Sequence, residues 1–147
     1  MGTESRTSPR MVAVFFYGLF MDAELLRKQG LHPGDPRPAA VEGMELRIGQ
    51  RATLVPNAGR IAHGILMTLS HAEIDALYSG ASVASYRPEA VLARLDDGSK
   101  VPALCFNLPA PPEPSESNAD YARQLAEVGR KLGLPADYVR SLCREGA

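Results

Sequence analysis

The sequence is short of several features that point to particular classes of protein. Its 147 residues include no tryptophan, only two cysteines and just 6% aromatic residues. The charges nearly cancel, with 16 Lys and Arg against 17 Asp and Glu, so no basic excess predicts a nucleic-acid partner. No apolar run approaches the roughly 20 residues that span a bilayer, and we expect no membrane partner.

The cysteines and histidines, which commonly bind metals, show no spacing typical of a metal site. Cys105 and Cys143 form no CxxC pair, and the three histidines are scattered, with none near a cysteine. Structural and catalytic metal sites need such groups at close, regular spacing. We therefore expect two buried or half-buried thiols, no metal site and no cofactor.

Length and composition favour one globular domain. Hydrophobic residues make up 45% of the chain and charged residues 22%, and the length is sufficient for one core. Residues 1–10 are polar and lack the apolar stretch of a signal peptide, which predicts a disordered lead-in and a cytoplasmic protein. We expect a single domain over residues 11–147, as a monomer or a homodimer.

The first half of the chain reads as strands around one early helix. Met11–Tyr17 is rich in Val and Phe and predicts a strand, after which Asp22 can cap a helix. The proline-rich run Pro33–Pro38 predicts a loop. Further strands are predicted at Val41–Ile48, Ala52–Pro56 and Ile61–Leu69, with a turn at Asn57–Gly59 and a bend or bulge at Gly64.

The second half begins with strands and ends in helices. Ser70 and Glu73 form a capping box for a short helix. Two strands, at Tyr86–Leu95 and Val101–Leu108, flank an Asp-Asp-Gly turn, and a proline-rich linker leads to two terminal helices. We predict an α+β fold in which about five to seven strands curl into a small mixed β-barrel with flanking helices.

Four segments in this order carry a resemblance to a known family. They are the strand–Tyr-Gly–helix stretch "VFFYGLFM" (Val14–Met21), the strand "HGILMTL" (His63–Leu69), the segment Leu69–Val91 and the C-terminal segment Asp120–Leu142. Together they resemble the γ-glutamylcyclotransferase-like superfamily, which includes γ-glutamylcyclotransferases, γ-glutamylamine cyclotransferases and AIG2-like proteins. The resemblance spans nearly the whole chain. Its specificity lies in the order and spacing of short motifs.

The resemblance implies a binding site for a carboxylate. In this family the backbone amides of the loop after the first strand bind the α-carboxylate of the substrate, and such a turn into a helix favours an anion. The corresponding residues here are Tyr17, Gly18, Leu19, Phe20 and Met21, with Leu19 in place of the usual Ser or Thr. The alternative is that Gly18 only makes a tight turn.

Two tyrosines extend the implied site. Tyr86 matches a family tyrosine next to an arginine, and Tyr121 matches a C-terminal tyrosine that closes over the substrate in some members. As an alternative, both are core or rim aromatics whose hydroxyls reach water. The resemblance thus implies a small-molecule ligand, either a carboxylate or a γ-glutamyl compound.

The same resemblance places the catalytic glutamate of the family at Ala81. That glutamate takes a proton from the α-amine, which attacks the γ-carbonyl to form 5-oxoproline, and then protonates the leaving amine. The neighbouring family aspartate and glycine fall on Tyr78 and Ser82. Glu89 is the best substitute base that we identify, so no catalytic residue is assigned with certainty.

Two classes of function remain open at this point. The first is a γ-glutamylcyclotransferase-like protein that binds a γ-glutamyl or related amino-acid carboxylate, with weak or absent cyclisation to 5-oxoproline because Ala81 replaces the glutamate. The second is a non-catalytic module on the same fold that binds a small ligand or a protein. An alanine in place of the glutamate removes charge from the pocket and enlarges it, which suits a bulkier or more apolar ligand.

Overall fold

Five strands of this chain close into a barrel, with helices packed around it. The computed structural model describes residues 10–81 and 83–145, and within them the elements follow in this order. They are β1 (Met11–Phe16), a 3₁₀ turn (Leu19–Met21), α1 (Ala23–Lys28), β2 (Gly34–Ile48), β3 (Ala52–Ser70), α2 (His71–Leu77), β4 (Arg87–Leu95), β5 (Lys100–Asn107), α3 (Ala119–Leu132) and α4 (Ala136–Glu145).

The strand order around the barrel is β1-β3-β2-β4-β5. All neighbouring strands are antiparallel except β1 and β5, which run parallel and pair at Val14 and Leu104. This parallel pair closes the barrel. The predicted α+β fold with a small mixed barrel is confirmed, with five strands at the lower end of the predicted range.

The loop predicted at Pro33–Pro38 is wrong, because β2 already begins at Gly34. The register of β2 against β3 shifts between Gly34 and Arg37, and β2 pairs with β4 only at Ala39 and Ala40. The prolines therefore lie where one side of β2 has no paired strand among the described residues. A missing N–H is tolerated at such an edge or bulge.

The turn predicted at Asn57–Gly59 is also wrong, because these residues lie inside one continuous strand, β3. The register between β2 and β3 shifts between Glu42 and Met44, which pair with Ile61 and Pro56. The intervening residues of β3 form a bulge that lets the long hairpin bend. A bulge and a turn use the same small and polar residue types.

Gly64 does not mark a bulge, because it pairs in register with Ala39. A β-carbon on Gly64 would lie 2.1 Å from the carbonyl oxygen of Phe16. No side chain fits at that distance. Glycine at this position allows the backbones of β1 and β3 to approach each other at the end of β1.

The helix boundaries follow the capping residues of the sequence. The Asp22 side chain accepts a hydrogen bond from Glu24 N at the start of α1, and Ser70 and Glu73 form the complete capping box of α2. Asn118 caps α3, and the helix ends at Gly133. The predicted cap at Asp22 and the predicted capping box at Ser70 and Glu73 are confirmed. None of the helices that the structure describes is long and apolar enough to cross a membrane.

The core fills the barrel and continues beneath α3 and α4. Its fully buried side chains include two polar ones, Thr53 and Asn107. The predicted burial of the Cys105 thiol is confirmed, whereas the side chain of Cys143 lies outside the described part of the chain. The lead-in predicted for residues 1–10 lies almost entirely outside it too, and the single-domain boundary stays a prediction.

Candidate functional site

A cavity of about 230 Å³ lies at the end of the barrel where β1 stops. Segments that are far apart in sequence line it: the end of β1, the tip of the β2–β3 hairpin, the connection from α2 to β4, the end of β5 and the start of α3. Most of the lining side chains are apolar or aromatic. They are Phe15, Phe16, Tyr17, Gly18, Leu19, Phe20, Gln50, Arg51, Ala52, Tyr78, Val83, Tyr86, Phe106 and Tyr121.

The Tyr17–Met21 segment forms one wall of this cavity. Gly18 is extended, and its carbonyl accepts a hydrogen bond from Met21 N in the following 3₁₀ turn (3.0 Å). Four of the five residues predicted here to bind a ligand line the cavity. Met21 is not among them, because its side chain is buried in the core.

A close contact with α3 explains why residue 18 is a glycine. A β-carbon on this residue would lie 2.7 Å from the hydroxyl oxygen of Tyr121. Burial raises the pKa of Tyr121, while the nearby backbone of Leu19 opposes that increase. In this structure, therefore, the Tyr121 phenol lies close to the backbone to which the resemblance assigns a carboxylate.

Two further tyrosines of the lining direct their phenols towards backbone carbonyl groups. Tyr17 donates a hydrogen bond to Phe106 O (2.7 Å), and Tyr86 donates one to Ala52 O (2.5 Å). Burial is the largest cause that raises the pKa of both tyrosines. Both phenols therefore stay protonated and uncharged near neutral pH.

Aromatic rings cover the floor of the cavity. Tyr78 stacks on Phe106 with ring centroids 4.3 Å apart and meets the Phe20 ring edge-on at 5.8 Å. Burial also raises the pKa of Tyr78 well above its ordinary value. The sequence analysis identified Tyr78 only as a departure from the family aspartate, so it missed this aromatic surface.

Arg51 is a lining residue that sequence reasoning did not identify. It lies at the tip of the β2–β3 hairpin, where its Nη1 donates a hydrogen bond to Ser85 Oγ (2.6 Å). Its positive charge opposes the increase that burial causes in the pKa of Tyr86. Arg51 is the one charged side chain among the described lining residues, and it is exposed at the cavity mouth, where its charge also lowers the pKa of the nearby Glu116 carboxylate.

Glu116 holds the hairpin tip in place. Its carboxylate accepts hydrogen bonds from Gln50 N (3.1 Å) and Glu113 N (2.9 Å), and these bonds lower its pKa. The connection between β5 and α3 is thereby fastened to the residues at the cavity mouth. No sequence motif indicates this contact, because it joins two loops.

The positions predicted to bear on proton transfer lie apart from the cavity lining. Ala81 is exposed in a turn, and Glu89 is an exposed residue of β4 that accepts a hydrogen bond from Asn107 Nδ2 (2.6 Å). Ser82 lies outside the described residues. Over residues 10–81 and 83–145, no carboxylate lines the cavity and no cluster of three potential metal ligands occurs.

Comparison with known proteins identifies the fold. No protein-family model matches the chain, and no curated protein matches its sequence. Among solved structures, a γ-glutamyl cyclotransferase matches with a TM-score of 0.75 at 17% identity, over 90% of this chain and 86% of the other. YkqA from Bacillus subtilis matches with a TM-score of 0.75 at 20% identity, over 97% and 56%.

A third structure extends the same group. An AIG2-like protein from Mus musculus matches with a TM-score of 0.57 at 14% identity, over 76% of this chain and 90% of the other. At these identities the likeness establishes the fold. The chain has the γ-glutamylcyclotransferase-like fold that its sequence motifs predict.

Proposed function

We propose that this chain is a γ-glutamylcyclotransferase-like protein that binds a small carboxylate in its barrel cavity, without efficient cyclisation to 5-oxoproline. The ligand is a γ-glutamyl compound or a related amino-acid derivative. The observation that carries the proposal is the cavity lining, in which Arg51 is the one charged side chain among the described residues. A positive charge at the mouth of an otherwise apolar cavity attracts anions.

Cyclisation needs a group that accepts a proton from the α-amine near neutral pH. A general base works best when its pKa lies near the operating pH. The lining tyrosines Tyr17, Tyr78, Tyr86 and Tyr121 all have raised pKa values and hold their protons. They contribute shape and hydrogen bonds to the site, and they do not replace a glutamate.

Two observations support Ala81 as the position of the lost glutamate. The residue follows α2 at the spacing that the resemblance requires, and its connection to β4 contributes Val83 and Tyr86 to the cavity. Loss of a general base costs roughly 10²- to 10⁴-fold in rate. We therefore expect this protein to bind its ligand without catalysing its cyclisation efficiently. Its cytoplasmic location stays a prediction.

Release of 5-oxoproline from γ-glutamyl amino acids tests the catalytic part of this proposal. Wild-type protein should release it at least 100-fold more slowly than an active γ-glutamylcyclotransferase, as expected for a missing base. The matched variant Ala81→Glu restores a carboxylate at the proposed position and should raise the rate. Wild-type turnover within tenfold of the active enzyme would overturn the proposal.

Binding is measured separately through tyrosine fluorescence. The chain has five tyrosines and no tryptophan, and four of those tyrosines line the cavity. A carboxylate that enters the cavity should change this emission in a saturable way. No saturable response to any γ-glutamyl compound or other small carboxylate would contradict the binding part.

A further inference from the structure

Aromatic residues are few in this chain, and almost all of them line one cavity. The sequence contains four phenylalanines, five tyrosines and no tryptophan. All four phenylalanines and four of the tyrosines belong to the cavity lining, and Tyr138 is the exception. The other buried apolar side chains of the described residues are aliphatic or contain sulfur. The aromatic residues are therefore concentrated at the cavity, whereas the rest of the described buried core is packed without them.

Five of these rings form one connected cluster in the cavity lining, which we call the aromatic floor. Its members are Phe16, Phe20, Tyr78, Tyr86 and Phe106. Tyr78 lies at the centre of the cluster, because its ring neighbours three of the other four at centroid distances from 4.3 to 6.1 Å. Phe20, Tyr78 and Tyr86 are only half-buried, so part of the aromatic floor is available to a ligand.

A γ-glutamyl group by itself does not match the aromatic floor. Its charged end carries a carboxylate and an ammonium group, and only a short methylene chain separates them from the amide. The group attached to the amide nitrogen is therefore the part of the ligand that can cover these rings. Removal of apolar surface from water stabilises such a contact, and aromatic rings add a further gain when they meet edge-on or offset-stacked.

The size of the cavity is sufficient for a ring. An apolar cavity of about 150 Å³ is large enough to bind benzene. The cavity here measures about 230 Å³, which leaves space for a phenyl ring and part of the γ-glutamyl group. Two lining residues at the hairpin tip, Gln50 and Arg51, are exposed, so the cavity opens to solvent there. The remainder of a larger ligand can extend through this opening.

From this arrangement we infer that the preferred ligand is a γ-glutamyl derivative of an aromatic amine or an aromatic amino acid, whose ring packs against the aromatic floor. The inference rests on the proposed function, and it names the part of the ligand that the proposed function leaves open. A small or polar group on the amide nitrogen would leave the half-buried rings of Phe20, Tyr78 and Tyr86 uncovered.

The test compares γ-glutamyl-phenylalanine with γ-glutamyl-alanine, which differ by one phenyl ring, by isothermal titration calorimetry at pH 7. Both carry the same charges, so the comparison isolates the ring. We expect γ-glutamyl-phenylalanine to bind at least tenfold more tightly, as expected for burial of a phenyl group. Equal affinity, or tighter binding of γ-glutamyl-alanine, would overturn the inference and leave the proposed function intact.

Failure to bind has two separate meanings in this test. If neither γ-glutamyl compound binds while another small carboxylate does, the inference is overturned and the carboxylate site stands. If no small carboxylate binds, γ-glutamyl compounds included, the proposed function itself is overturned.

A third ligand, γ-glutamyl-leucine, separates recognition of a ring from recognition of any apolar group. Its affinity should lie between those of the other two, because leucine buries apolar area but has no ring to pair with those of the aromatic floor. Affinity equal to or above that of γ-glutamyl-phenylalanine would contradict the assignment of an aromatic group.

A matched pair of variants locates the contact. Tyr78→Leu removes the central ring of the aromatic floor and should lower the preference for γ-glutamyl-phenylalanine over γ-glutamyl-alanine at least threefold. Tyr138→Leu makes the same change at the tyrosine outside the cavity lining and should leave this preference within twofold of wild type. Where Tyr78→Leu does not fold, Phe20→Leu removes a neighbouring half-buried ring and should lower the preference in the same way. An unchanged preference in the folded variant would overturn the inference.

Discussion

The hydroxyl oxygen of Tyr121 lies 2.7 Å from the point that a β-carbon on Gly18 would occupy. This close approach lies between the loop after β1 and the start of α3. Because Gly18 has extended backbone angles that any residue adopts, the requirement for glycine comes from the phenol alone.

Gly18→Ala should lower the free energy of unfolding by about 1–3 kcal/mol, the usual cost of an added methyl group in a packed site. In Gly18→Ala/Tyr121→Phe the hydroxyl is gone, and the cost of the alanine should fall by more than half. Urea denaturation of the two single variants and the double variant gives this coupling.

Gly80→Ala is the matched control for that experiment. The nearest atom to a β-carbon there is Val83 Cγ2 at 3.8 Å, an ordinary contact, so stability should change by less than about 0.5 kcal/mol. An alanine at position 18 that costs the same with and without the Tyr121 hydroxyl would show that the contact does not determine the residue.

Asn107 should be the most sensitive polar residue of the barrel interior. Its Oδ1 accepts from Leu54 N (3.2 Å), and its Nδ2 donates to Glu89 Oε1 (2.6 Å). Asn107→Ala leaves a buried backbone N–H without its partner and should cost about 1–3 kcal/mol in urea denaturation. Glu89→Gln keeps the accepting oxygen and should cost much less; equal losses would contradict this view of the network.

Glu116 should make the stability of the folded protein depend on pH in the acid range. The pKa of its carboxylate is lower in the folded protein than its ordinary value of 4.5, chiefly because Glu113 N and Gln50 N donate to it. A carboxylate of this kind stabilises the fold above its unfolded pKa, and the stabilisation disappears as the pH falls through the folded pKa.

The stability difference between wild type and Glu116→Gln should therefore be constant above about pH 5 and shrink below pH 4.5. Urea midpoints measured from pH 7 to pH 3 test it. Curves that stay parallel to the lowest pH would show that the two hydrogen bonds do not favour the ionised form.

Cys105 should be unreactive in the folded protein. Its side chain is fully buried, and burial, followed by the charge of Glu89, raises the pKa of the thiol to about 12. In a Cys143→Ser background, iodoacetamide at pH 8 should modify Cys105 only when urea unfolds the chain, since the thiolate is the reactive form. Rapid alkylation without denaturant would contradict the burial of this strand.

Local features of the fold are readable from the sequence, and pairing details are not. The capping box at Ser70 and Glu73 lies within one turn of chain, so its residue types suffice to predict it. The bulge near Gly59 was read as a turn, because only the partner strand decides whether a small polar stretch ends a strand or bends it.

The candidate site was likewise only partly predictable from the sequence. Motif order pointed to Tyr17–Met21, Tyr86 and Tyr121, and all of these residues except Met21 line one cavity. Arg51 was missed because its position depends on the length and bend of the whole β2–β3 hairpin. The sequence likewise does not explain the glycine at position 18, because the side chain that crowds this position belongs to Tyr121 in a distant helix.

During folding, the cavity forms only when β1 and β5 pair and close the barrel. Tyr17 and Phe106, whose hydrogen bond spans this closure, are 89 residues apart along the chain. The β2–β3 hairpin is local and can form early, whereas closing so long a loop is entropically costly and slow. A chain still under synthesis therefore lacks the complete cavity until α3 has emerged, because Tyr121 forms part of the lining. Formation of the cavity during refolding is then a late event that reports completion of the entire barrel.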